Sequence, residues 1–255
     1  MSTSRRVAAR IGERRVAPAA GWSVRFAGFA LVLFAVAGLG HRSGLVETVA
    51  FLWTLALVAV LGITALVLSA WGFWRLWTFG DRAGRASLGG AVLAAIVLAP
   101  FALSLWRFAT LPLVNDVSTD MADPPAIAGQ PVPDAAARRA VVEAYPQVNG
   151  RRYTATADRV MEAIVALVAR RGWTVESAPP PPLPGGEATI RVRAVTPLLG
   201  FPVRVALRVA DEGETTFVDM RSAGVHGRHD LGDNAARVRR FLEDLDTVMA
   251  AEAAL

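Results

Sequence analysis

The chain has 255 residues, 53% of them hydrophobic and only 19% charged, with a formal net charge of +5 and a mean hydropathy of +0.39. An ordinary soluble domain carries roughly 25% charged residues, so this balance argues for a membrane protein. There is no cysteine and no lysine, all 27 basic residues being arginine, which excludes disulfide frameworks, cysteine metal sites and nucleophiles, lysine Schiff bases and phosphate-loop lysines.

The charge is unevenly placed. Residues 1–106 hold ten arginines against Glu13, Glu47 and Asp81, a net +7, whereas residues 107–255 hold seventeen arginines and nineteen acids, a net −2. Phosphate-backbone binding needs clustered cations on a soluble surface, so no nucleic-acid partner is expected.

In chain order, a basic tail (residues 1–21) carries Arg5, Arg6, Arg10, Arg14 and Arg15. Three apolar runs follow, at about 22–40, 48–74 and 88–106, each reaching the ~20 residues a helix needs to cross a bilayer. Trp22, Trp71, Trp74, Trp77 and Trp106 mark their ends, as interfacial aromatics do, and Pro100 is expected to bend the third. Arginines crowd the tail and the second loop (Arg75, Arg82, Arg85), while the first loop offers only Arg42 with Glu47. The positive-inside rule then makes the N-terminus cytoplasmic and everything after Trp106 external. The expectation is a multi-pass protein of a bacterial inner (plasma) membrane with a periplasmic C-terminal domain. Ser4-Arg5-Arg6 faintly resembles a twin-arginine signal, but the apolar stretch starts too late, and an uncleaved anchor fits better. No ionisable residue falls deep in a span, which points to an anchor or interaction module and away from a transporter.

Residues 107–150 read as an extended linker, with Asp123-Pro124-Pro125 blocking helix. From residue 151 the pattern is that of a globular domain. Thr156 can cap a helix with Val160, Ile164, Leu167 and Val168 inward and Gly172 as its stop. Residues 173–177 read as a strand and 179–186 as a Pro/Gly loop. The segments 187–196, 202–210 and 215–223 alternate apolar and polar residues, the signature of a half-buried antiparallel sheet. An edge strand is expected near 152–154. A closing helix over 231–249, capped by Asp230, buries Leu231, Ala235, Val238, Leu242, Leu245 and Met249. The predicted fold is thus an N-terminal three-helix transmembrane module (22–106) plus a C-terminal two-layer α+β domain (151–255), an antiparallel four- to five-stranded sheet covered by two helices.

The alternation sends Arg191, Arg193, Arg204 and Arg208, together with Asp219 and Arg221, to the sheet face away from the helices. If open, that basic face suits a lipid headgroup, a glycan or an envelope protein; the competing reading is a solvated face balanced by its own acids. His226-Gly227-Arg228-His229-Asp230 offers metal-ligand types without a third fixed group, and a turn leading into a capped helix explains the same residues, so no metal or cofactor is expected. No G-x-S-x-G, H-E-x-x-H, phosphate loop or G-x-G-x-x-G occurs, and Ser222, His229 and Asp230 have no spacing that makes a triad, so no enzyme is expected.

Two stretches together carry a family resemblance: Asn115-Asp116-Val117-Ser118-Thr119-Asp120 followed by Asp123-Pro124-Pro125, and Arg221-Ser222 followed by Gly227-Arg228, Asp230-Leu231-Gly232, Asn234-Ala235, Arg237, Arg239 and Phe241-Leu242. Over about residues 107–250 the chain resembles the family called domain of unknown function 1499, whose members occur in bacteria, often behind membrane spans, and in chloroplasts. The family brings no established activity. The resemblance does single out Asn115, Asp116, Asp120, Asp123, Arg221, Arg228, Asp230, Asn234 and Arg237 as a binding or structural motif. One physical account is that the acidic linker docks onto Arg221, Arg228 or Arg237 through charge-assisted hydrogen bonds. Two functions compete: an envelope protein whose outer domain binds a ligand or partner without chemistry, and a membrane-tethered, hydrolase-like enzyme using the motif's Asp and Arg residues.

Overall fold

The computed structural model describes residues 17–253; Arg5, Arg6, Arg10, Arg14 and Arg15 of the basic tail lie outside the described residues. The chain forms two compact units, residues 1–103 and 104–255.

The first unit is built from helices α1 (Pro18–Arg42), α2 (Thr48–Phe79) and α3 (Gly84–Thr110), all three long and apolar enough to cross a membrane. Each extends past the apolar run that announced it, and α3 runs on through Pro100. Pro18 sits in the first turn of α1, where its missing N–H costs nothing. Gly80 ends α2 in the left-handed conformation (φ +71°), its N–H donating to the Leu76 carbonyl. The helices meet through small residues: Ala20, Ser23, Ala27 and Ala30 of α1, Gly62, Ala65, Ser69 and Gly72 of α2, and Ser87, Gly90 and Ala94 of α3 are buried. A Cβ added at Gly72 would fall on Ser87 Oγ and press Ala20, so all three backbones approach closely there. Lipid offers no hydrophobic drive between helices, and small-residue packing replaces it. Large side chains face outward, Trp53 being 75% and Trp77 90% exposed.

The second unit is an antiparallel sheet with helices. Its strands are β1 (Asp116–Ser118), β2 (Arg151–Tyr153), β3 (Thr174–Ser177), β4 (Glu187–Val195), β5 (Pro202–Asp211) and β6 (Thr216–Gly224), in the order β1-β6-β5-β4-β3 with β2 also pairing β6. Six strands replace the four or five expected, because the free edge of β6 accepts two short strands end to end: β1 along residues 221–223 and β2 along residues 216–218. Helices α5 (Ala157–Arg170) and α6 (Asp233–Ala253) cover one sheet face. Val160, Ile164 and Leu167 of α5 and Val238, Leu242 and Leu245 of α6 pack against Ile190, Val192, Val205, Leu207, Val218 and Met220 in one core. Full burial of each such side chain contributes about 1.5–3 kcal/mol.

Three local expectations are corrected. Residues 107–150 are not an extended linker: they supply β1 and helix α4 (Ala135–Ala144), whose N-cap Asp134 accepts the Ala137 N–H at 2.8 Å. Thr156 holds the N-cap position of α5 without a side-chain cap bond. The last helix starts at Asp233, not Leu231. Leu231 takes a positive φ of 56° followed by Gly232 at 81°, and the Asp230 carboxylate accepts the N–H groups of Gly232 and Asn234 at 2.9 and 2.7 Å. Leu231 is therefore half-buried and outside the helical stripe.

Candidate functional site

The alternation along β6 sends Phe217, Asp219, Arg221 and Ala223 to one face and Val218, Met220 and Ser222 to the other. Both faces carry motif residues, in two separate clusters.

On the face away from α5 and α6, residues 119–131 lie across the sheet as a strap. Arg221 is 1% exposed. Its Nε and Nη2 donate to Asp116 at 3.0 and 2.6 Å, Nη1 to the Pro125 carbonyl at 3.2 Å and Nη2 to the Pro131 carbonyl at 2.7 Å. Arg208 donates to Asp123 (2.6 Å), Asp120 (3.1 Å) and Asp219 (2.9 Å). Burial by itself would pull its guanidinium down, but Asp219 and Asp123 outweigh burial and hold it above the usual arginine value. Thr119 Oγ1 donates to Asp219 at 2.8 Å and accepts the Met220 N–H at 2.9 Å. Arg204 Nη1 donates to the Ala128 carbonyl at 2.6 Å, and Ile127 packs on Ala206 and Ala223. The strap's prolines have no N–H to satisfy, so the segment presents mainly acceptors to a face rich in donors.

The expected open basic surface is therefore mostly covered. Asp116, Asp120, Asp123, Arg208 and Arg221 converge, and the docking expectation holds for Arg221. Arg228, by contrast, is exposed on its loop, and Arg237 points to the other face. Arg191 and Arg193 remain at the strap's rim, with Arg193 donating to Glu176 at 2.6 Å.

On the helix face, Asn234 of α6 joins β1 to β6. Its Oδ1 accepts from Ser222 Oγ (2.8 Å) and Arg237 Nη1 (2.8 Å), and its Nδ2 donates to the Asn115 carbonyl at 3.1 Å. Arg237 also donates to Asp233 at 3.1 Å. Burial pulls the Arg237 guanidinium down and pushes the Asp230 carboxyl up. Asn115 Nδ2 donates to the carbonyls of Gly224, His226 and Gly227 at 3.1, 3.2 and 2.9 Å, fixing the loop before α6. A Cβ at Gly224 would fall on Asn115 Oδ1, so this approach requires glycine. His229 accepts the Leu231 N–H on Nδ1 at 2.8 Å and lies 5.0 Å from the Phe108 ring. Among the described residues no group of three or more His, Asp or Glu side chains is placed to hold a metal.

A third feature was not anticipated from the sequence. An open groove of about 690 Å³ is bounded by β2, the β5–β6 turn, the start of α5 and the end of α6. Beside it Tyr153 OH donates to Asp246 at 2.7 Å, and Arg151 Nε donates to the other Asp246 oxygen at 2.9 Å. Burial, then Asp246, pushes the Tyr153 hydroxyl above its usual range. Arg152 grips Glu212 with two bonds of 2.6 and 2.9 Å and holds its carboxyl down at about 2.

Arg208, Asp219 and Thr119 do as much for the strap as Asp116, Asp120, Asp123 and Arg221, though of these three only Arg208 is a candidate from the sequence. The signal was present in the alternation: β5 and β6 in their antiparallel register place Arg208 directly opposite Asp219.

No curated protein matches this chain. The family described as "Protein of unknown function (DUF1499)" matches residues 116–245, from the first strand through most of the last helix, which contain both clusters except Asn115. The chain, with its strap and its Asn-Arg cluster inside the matched region, belongs to that family.

Proposed function

We propose that this protein is an inner-membrane envelope protein whose α+β domain faces the periplasm and binds a ligand or partner there without performing chemistry on it. The observation that carries the reading is the state of the motif charges. Asp116 is spent on Arg221, Asp120 and Asp123 on Arg208, and Asn234 and Asp233 on Arg237. A hydrolase needs a carboxylate or nucleophile free to reach a substrate; these groups instead tie the strap and the last helix to the sheet. Arginine placement along the sequence supports the orientation.

The cysteine-free chain suits a direct test. A membrane-impermeant maleimide applied to intact spheroplasts is expected to label Glu214→Cys, on the exposed β5–β6 turn, and to spare Arg82→Cys. A photo-cross-linking residue at Arg193, on the strap's rim, is expected to trap a discrete envelope component in living cells. Labelling of Arg82→Cys with protection of Glu214→Cys refutes the orientation; absence of any adduct from the rim refutes the binding.

A further inference from the structure

Of the arginines on the strap face, three are neutralised: Arg193 by Glu176, Arg208 by Asp120, Asp123 and Asp219, and Arg221 by Asp116. Two are not. Arg204 has only the neutral Ala128 carbonyl. The Nε of the Arg191 side chain is buried with no hydrogen-bond partner among the described residues. These two arginines line one small cavity of about 130 Å³ with Ile127 and Ala128 of the strap, Glu176 and Val205. A buried donor without an acceptor is destabilising, and two guanidiniums without a carboxylate partner raise the local positive potential. Glu176 also lines the cavity, but its carboxylate is paired with Arg193 at 2.6 Å, so the lining carries two guanidiniums against one carboxylate that already has a cation.

We propose that this cavity is a binding site for a phosphate group, gripped by Arg191 and Arg204 under the edge of the strap. The inference rests on the binding reading above and names its ligand chemistry. The cavity lies far below the ~300–1,000 Å³ of pockets that enclose whole organic ligands, so it takes an ion or the tip of a headgroup. A guanidinium fork matches oxyanions in pairs of bonds. A carboxylate has two oxygens and serves one fork, whereas a phosphate has oxygens for both. Because Arg191 Nε is itself buried, the terminal guanidinium nitrogens of Arg191 are the donors that meet the ion, and the strap's Ala128 carbonyl fixes Arg204 beside it.

The test uses the full chain in phosphatidylcholine nanodiscs, where both membrane sides are accessible, so the result does not depend on orientation. Calorimetric titrations with inorganic phosphate and with soluble dihexanoyl phosphatidate separate a free ion from a lipid headgroup as the source. Saturable binding of either probe is expected. Arg191→Ala and Arg204→Ala should each weaken it at least tenfold, while Arg159→Ala, which removes the same charge from exposed α5, stays within twofold. Unchanged melting of the variants shows that folding is intact. If neither probe binds, or if neither cavity substitution weakens binding more than Arg159→Ala, the proposal is overturned, while the orientation and cross-linking results stand or fall separately.

Discussion

Arg221→Ala is the sharpest perturbation of the strap. The native guanidinium is 1% exposed and holds Asp116, whose side chain is 15% exposed, together with the carbonyls of Pro125 and Pro131. Removing one partner of a buried ion pair costs about 3–5 kcal/mol, because the other charge is left without compensation. That is a large part of the ~5–15 kcal/mol that holds a domain together. The strap can lift and rehydrate Asp116 without unfolding the core, since its apolar contacts are few: Ile127 on Ala206 and Ala223, Met121 at the edge of the main core, and the buried Pro124 and Pro125. The loss should therefore appear as local opening. Three kcal/mol corresponds to slightly more than two decades in an equilibrium constant, so hydrogen exchange across residues 119–131 should speed up about a hundredfold, with the α5–α6 core little changed. Mass-spectrometric exchange on the full chain in nanodiscs reads both regions at once. Pairing Asp116→Leu with Arg221→Met should cost less than Arg221→Ala, because no charge is left stranded. Strap amides exchanging within threefold of wild type in Arg221→Ala would refute the clamp.

Gly224→Ala should destabilise the α+β domain by about 1–3 kcal/mol, because the new Cβ displaces the Asn115 side chain from three carbonyls; a lowered melting temperature checks it. In the membrane unit, Gly72→Cys with Ser87→Cys should cross-link on mild oxidation, since a Cβ at Gly72 lies 3.4 Å from that of Ser87, close to disulfide range; failure to link would place α2 and α3 in another packing. The Glu212 carboxyl, held at about 2 by Arg152 against an ordinary 4.5, gives a stabilising contribution that is complete above about pH 4.5 and fades as pH falls toward 2. Carboxyl carbon shifts followed by NMR should show this titration, and Arg152→Ala should return it to the ordinary range.

The three spans were legible in the sequence because their length and uniform apolarity suffice to define a membrane helix. Strands β3 to β6 and helices α5 and α6 were legible through their periods of 2 and 3.6, which match the faces they bury. Helix packing was half-legible: the small residues at Ser23, Ala27, Ser69, Gly72, Ser87 and Gly90 recur at helical spacing, but which backbones they bring together depends on the assembled bundle. Residues 107–150 were misread for a physical reason. A proline-rich acidic stretch has no core of its own, and its order comes from distant donors, Arg204, Arg208 and Arg221, and from the open edge of β6. The same holds for the site. The family resemblance alone set Asp116, Asp120, Asp123, Asn234 and Arg237 apart from the other polar residues. Which charge meets which was settled by the register of β5 on β6 and by the path of the strap. Long-range pairing is a property of two segments brought together, so no single stretch of sequence specifies it. That same pairing left Arg191 and Arg204, among the described residues of the strap face, without a carboxylate partner.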